Sequence, residues 1–94
     1  MKHFILEQTC YACPEQYDVF LDGKQVGYLR LRHGYFRCDY PNCGGETVYG
    51  SYTEGDGMFD EEERFYHLNK AIAALAKKLE LNDNDNYDLQ ITEE

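Results

Sequence analysis

The chain has 94 residues, nine tyrosines, five phenylalanines and no tryptophan, and a formal net charge of −9. That length makes one domain, residues 1–94, with a core large enough to fold unaided and little room for a deep catalytic cavity. The aromatic content excludes a disordered chain, and no apolar run approaches the roughly 18 residues of a bilayer span.

The charge is divided unevenly along the chain. Residues 1–45 carry five bases (Lys2, Lys24, Arg30, Arg32, Arg37) against five acids, whereas residues 46–94 carry four bases against thirteen acids. A neutral, arginine-bearing front joined to an acidic back predicts two electrostatic faces, one repelling nucleic acid and the other attracting anions. The start, Met1-Lys-His-Phe-Ile-Leu-Glu7, turns acidic too early for a signal peptide, so the expected location is cytoplasmic. In that compartment four cysteines read as thiols or metal ligands rather than disulfides.

In chain order, Phe4-Ile5-Leu6 reads as an edge strand. From Gln16 to Tyr40, the turn signals Asp22-Gly23 and His33-Gly34 sit between alternating apolar and polar residues, the pattern of two tight hairpins in a three-stranded meander. Two-residue loops pair Val19 with Val26, Gln16 with Leu29, Leu29 with Cys38 and Leu31 with Phe36. Phe20, Leu29, Leu31, Phe36, Cys38 and Tyr40 then face the core. Tyr17, Tyr28, Arg30, Arg32, Tyr35 and Arg37 face the other way. Thr47 to Tyr52 reads as a further strand. Asp60 then caps an amphipathic helix with Glu63 three residues on and Phe65, Leu68, Ile72, Leu75 and Leu79 at helical spacing, ending near Glu80. Tyr87 to Ile91 alternates as a short last strand. The expected fold is α+β: an antiparallel sheet of four to five strands packed on one long amphipathic helix.

Four features could carry chemistry. Cys10-x2-Cys13 and Cys38-x4-Cys43 have the paired spacing of a tetrahedral zinc site. The meander opposes it, because eight residues of strand at ~3.3 Å each separate the two pairs by roughly 26 Å, and small buried thiols are the plainer reading. The face bearing Tyr28, Arg30, Arg32, Tyr35 and Arg37 can grip a phosphate or stack on a base, against the plainer reading of a solvated sheet face. The acids Glu54, Asp56, Asp60, Glu61, Glu62 and Glu63 form a third candidate, since ordered carboxylates can imitate a phosphate backbone, although helix capping and the helix dipole explain part of the set. Lastly, His3, His33 and His67 with four cysteines fall into no local catalytic motif, and Asp83-x-Asp85 copies only part of a calcium loop. The expectation is a protein that is not an enzyme and needs no cofactor, zinc being the alternative.

The blocks Cys13-Pro-Glu-Gln-Tyr-Asp-Val19, Gly27-Tyr-Leu-Arg-Leu-Arg-His-Gly34 and Cys43-Gly-Gly-Glu-Thr-Val-Tyr49 resemble small uncharacterised proteins of phages, prophages and gut bacteria, over roughly the first half of the chain. The resemblance implies a compact fold and a mobile-element setting, hence the host-cell cytoplasm, and transfers no site residues. By analogy of style with anti-CRISPR and anti-restriction proteins, the first functional expectation is an acidic protein-binding module. It would inhibit a basic, nucleic-acid-handling host protein by charge mimicry through residues 54–63, binding no nucleic acid itself. The alternatives are a small-ligand or nucleotide-binding protein using the Arg/Tyr face, and a zinc-stabilised module. An exposed sheet edge makes a homodimer a further expectation.

Overall fold

The computed structural model describes residues 2–10, 15–53, 59, 61–79 and 87–93. Five strands come first: β1 (Lys2–Cys10), β2 (Glu15–Leu21), β3 (Lys24–Arg32), β4 (Tyr35–Tyr40) and β5 (Glu46–Tyr52). One helix, α1 (Glu61–Lys78), and a last strand, β6 (Tyr87–Glu93), follow. The strands form one sheet in the order β5-β4-β3-β2-β1-β6. Both hairpin turns anticipated from sequence are present. Asp22-Gly23 and His33-Gly34 all have positive φ, the backbone that matches the right-handed twist of the strands they join.

The fold is therefore α+β, and the four to five antiparallel strands become six in a mixed sheet. β1 is a nine-residue interior strand rather than an edge, because β6 lies beside it, Phe4 against Leu89 and Leu6 against Ile91. That last pairing is parallel. β5 runs in the same direction as β1, α1 returns the chain along the sheet, and β6 then rises in β1's direction at the opposite edge.

The second hairpin keeps the expected register, Leu29 with Cys38 and Leu31 with Phe36. The first does not. Leu21 pairs with Lys24 and Phe20 with Gln25, but Val19 pairs with Gly27 and Tyr17 with Leu29, so Val26 is an extra residue in a β-bulge. Because side chains alternate, one inserted residue exchanges the faces of β2. Tyr17 and Val19 enter the core and Phe20 does not, the reverse of the expected placement. The face anticipated for Tyr17, among the arginines, loses that residue.

The core joins Phe4, Leu6, Tyr17, Val19, Leu29, Leu31, Phe36 and Cys38 of the sheet to Leu68, Ala71, Ile72, Leu75 and Ala76 of the helix. Helix spacing of apolar residues accounts for this stripe, and three glutamates in the first turn with Lys77 and Lys78 in the last suit the helix dipole. Phe65 was expected in the stripe and is exposed instead. The space below the first turn is filled by Phe59, stacked on His67 at 5.6 Å, and by Phe36, whose ring lies 4.9 Å from Phe59.

A polar network pins the helix start to the sheet. Glu15, fully buried at the head of β2, accepts hydrogen bonds from Tyr17 Oη (2.5 Å), Phe59 N (3.1 Å), Arg64 Nε (3.1 Å) and Arg64 Nη2 (3.3 Å). At the other end Lys78 Nζ meets Glu46 at 2.8 Å. Among the described residues no helix is long and apolar enough to cross a membrane.

The turn after β4 has little slack. A Cβ added at Gly45 would fall on the Tyr40 carbonyl group and lie 3.1 Å from Asn42 O. Those are backbone atoms that cannot swing aside. Gly45→Ala is expected to lower stability by roughly 1–3 kcal/mol, as overpacking does, read as a lower urea midpoint with an unchanged slope.

Candidate anion-binding site

The sheet face away from α1 can be read as rows across the strands. One row runs Asp18, Tyr28, Asp39 and, past a bulge, Thr47; the next runs Gln16, Arg30, Arg37 and Gly50; the rim holds Arg32, Tyr35 and Tyr52. The second hairpin's register sets this arrangement, since it places Arg30 directly opposite Arg37 and Arg32 opposite Tyr35. Arg30, Arg32, His33, Tyr35 and Arg37 line a cleft of about 250 Å³ at the end of the sheet where β3 turns into β4.

The cations of the cleft differ in their surroundings. Arg37 Nε donates to Asp39 Oδ2 at 3.1 Å, and the buried Asp39 also accepts from Gly44 N (3.2 Å) and Thr47 Oγ1 (2.9 Å). Asp39 is thus committed three times over and holds Arg37 in place. Arg30 lies near the Tyr28 hydroxyl, which donates to Gln16 Oε1. Burial pushes the Tyr28 phenol up, and the neighbouring Arg30 opposes that shift. No described carboxylate lies within ion-pairing distance of Arg30 or Arg32. Like charges directly opposed on a sheet are destabilising by themselves, so two guanidinium groups without an ion-pair partner among the described residues, beside a third, make a site that an anion would relieve.

The aromatic wall is positioned by a glycine. Tyr35 lies over Gly50 of the neighbouring strand, where a Cβ would collide with the Tyr35 hydroxyl and stand 2.9 Å from Cζ. Its ring meets Tyr52 edge-on at 5.1 Å. Gly50→Ala should therefore lift Tyr35 off the sheet and change the cleft while leaving the core alone. The expected reading is an altered Tyr35 ring resonance with a melting temperature shifted by no more than a few degrees.

Four of the five residues assigned from sequence to ligand binding, Arg30, Arg32, Tyr35 and Arg37, thus share one cavity, and Tyr28, in the next row, does not line it. His33, Gly50 and Tyr52 were missed. In the sequence His33 is a turn residue and one of three histidines outside any catalytic motif, and the role of Gly50 depends on a ring on the neighbouring strand.

The other candidates are placed as follows. Of the acidic set, Glu61 and Glu62 are exposed in the first turn of α1, while Glu63 is half-buried with a carboxylate oxygen 3.9 Å from His67 Nε2. Glu54, Asp56 and Asp60 lie outside the described residues. Of the cysteines, Cys38 faces the core, Cys43 is exposed in the turn after β4, and Cys10 is half-buried at the far end of β1. Cys13 lies outside the described residues. The described cysteines do not converge, and no cluster of three metal-ligating side chains forms among the described residues. Burial pushes the Cys38 thiol up to about 12, with the Asp39 charge adding to the effect.

No protein-family model, curated protein or solved structure matches the chain.

Proposed function

We propose that the protein is a non-catalytic binding module that holds a compact phosphate-bearing ligand, of the nucleotide class, in the Arg30/Arg32/Arg37 cleft. The observation that carries this reading is the pair of guanidinium groups, Arg30 and Arg32, with no carboxylate in ion-pairing distance among the described residues, gathered with Arg37 and His33 around one cavity. Arginine offers bidentate donors to phosphate oxygens, and the flat faces of Tyr35 and Tyr52 at the rim suit a base. The net charge of −9 narrows the ligand: a long polyanion crossing the surface meets repulsion, whereas a few phosphate oxygens inside the cleft meet only its cations.

Calorimetry with ADP, pyrophosphate and adenosine at low salt tests it. ADP should bind, pyrophosphate should bind more weakly and adenosine not at all. Arg30→Ala with Arg32→Ala should weaken ADP by about 100-fold, at about 1.5 kcal/mol per charged hydrogen bond removed. Arg37 is a poorer probe, because losing it also strips a partner from buried Asp39. Equal affinity in the double variant would end this reading.

A second reading keeps the acidic surface as the working face, directed at a basic, nucleic-acid-handling host protein as a mobile-element inhibitor would be. Its support is the exposure of Glu61 and Glu62 at the start of α1, on the opposite layer from the cleft. Such binding would fall with salt and with Glu61→Gln and Glu62→Gln, changes that leave ADP binding in the cleft untouched.

A further inference from the structure

Among the described residues both outer strands of the sheet have an edge that no strand covers, and the two edges differ in kind. β6 carries exposed Asp88 and Glu93, charges that discourage pairing with another strand. β5 carries one charge, Glu46 at its start, already paired with Lys78, and residues 47–53 (Thr-Val-Tyr-Gly-Ser-Tyr-Thr) carry none. No described strand pairs with the outer edge of β5. A bulge at Val48 disturbs its first half, but Tyr49, Gly50, Ser51 and Tyr52 pair with β4 in unbroken register, so their outward backbone groups form a regular ladder template. Aromatic side chains flank that template on both sides: Tyr52, 82 % exposed, on the sheet's open face, and Tyr66, 57 % exposed, next to Tyr49 and His67 on the helix side.

We propose that a second copy of this chain occupies this edge, by antiparallel pairing of the Tyr49–Tyr52 segments about a two-fold axis. A chain of net charge −9 repels its copy over most of its surface, so two copies can approach closely only where the contact is neutral. A strand paired antiparallel with itself is isologous, each residue contributing on both sides, and needs no second complementary patch. The edge aromatics supply the apolar area that backbone hydrogen bonds alone lack. Antiparallel pairing across a two-fold axis normal to the sheet keeps like faces on the same side. The dimer would thus be one twelve-stranded sheet presenting both arginine clefts in one direction. With strands about 4.8 Å apart, the two copies of β4 would lie three spacings, or roughly 14 Å, from each other.

Sedimentation velocity and native mass spectrometry test the assignment at concentrations up to about 100 μM. The wild type should be a dimer there, Tyr52→Lys should dissociate at least about tenfold more readily, and Gln90→Lys on the β6 edge should leave the dimer unchanged. Tyr52 is almost wholly exposed, and an unchanged far-ultraviolet circular dichroism spectrum will show that Tyr52→Lys still folds. A wild type that stays monomeric, or a dimer broken by Gln90→Lys and indifferent to Tyr52→Lys, overturns the proposal. ADP binding is read on separate variants, so failure here leaves the cleft reading standing, and the reverse.

Discussion

Replacing Arg64 with alanine is expected to cost the fold roughly 3–5 kcal/mol, a large part of the stability of a domain this size. Glu15 has no solvent exposure, and Arg64 supplies two of its four hydrogen bonds, at 3.1 and 3.3 Å. Removing the guanidinium leaves a carboxylate in the core with Tyr17 and Phe59 as its donors among the described residues, and a buried charge that loses its partner is far more expensive than a surface ion pair. The Glu15 hydrogen bond is also the main reason the Arg64 guanidinium is held even more firmly protonated than usual. Glu15→Leu combined with Arg64→Leu should cost much less than the two single changes added together. Strong non-additivity in a urea double-mutant cycle confirms that the two act as a pair, and simple additivity refutes it.

Stability is also expected to fall steeply above pH 9. In an unfolded chain a cysteine loses its proton near 9.0, whereas burial holds the Cys38 thiol neutral up to about 12. Below pH 9 the thiol is neutral in both states and the full stability is present. Above it the unfolded chain is favoured by ionisation that the folded chain resists, so stability is lost progressively as the pH rises through about 12. Tyr17 adds to the slope from about pH 10, because burial and the Glu15 carboxylate raise its phenol well above the usual tyrosine range. For Cys38 alone the loss between pH 8 and pH 10.5 should be about 2 kcal/mol, at about 1.4 kcal/mol for each decade. Cys38→Ala should lower stability at pH 8 through the lost contacts of the buried sulfur but flatten the decline. A parallel decline in both proteins would contradict the assignment.

What the sequence shows of this fold is local. Asp22-Gly23 and His33-Gly34 announce two hairpins because turns with positive φ at both central positions demand such residues, and the cleft was legible because it depends only on the second of those turns. Once Leu29 faces Cys38, alternation puts Arg30 beside Arg37 without further information. The first hairpin was misread because its register is not decided at its turn. The bulge at Val26 brings Tyr17 into the core and Glu15 with it, and a buried glutamate makes sense only with Arg64, 49 residues away, as its partner. Nothing in the alternation of Gln16 to Leu21 shows that choice, since Tyr17, Val19, Phe20 and Leu21 offer apolar candidates to both faces. β6 was visible as a strand, but its parallel place beside β1 is a consequence of where α1 returns the chain. Phe65 was misassigned for a similar reason, Phe59 having filled the position that helical spacing reserved for it.

The cleft is examined most directly by following the arginine side chains themselves during a titration. With uniformly ¹⁵N-labelled protein and ADP, the account predicts that the Nε–Hε resonances of Arg30, Arg32 and Arg37 shift together with the backbone amides of His33 and Tyr35, while Arg64 and the first turn of α1 stay still. Shifts confined to Glu61–Glu63 and Arg64, or no shift anywhere at ADP concentrations of about 10 mM, would contradict it and move attention to the acidic face.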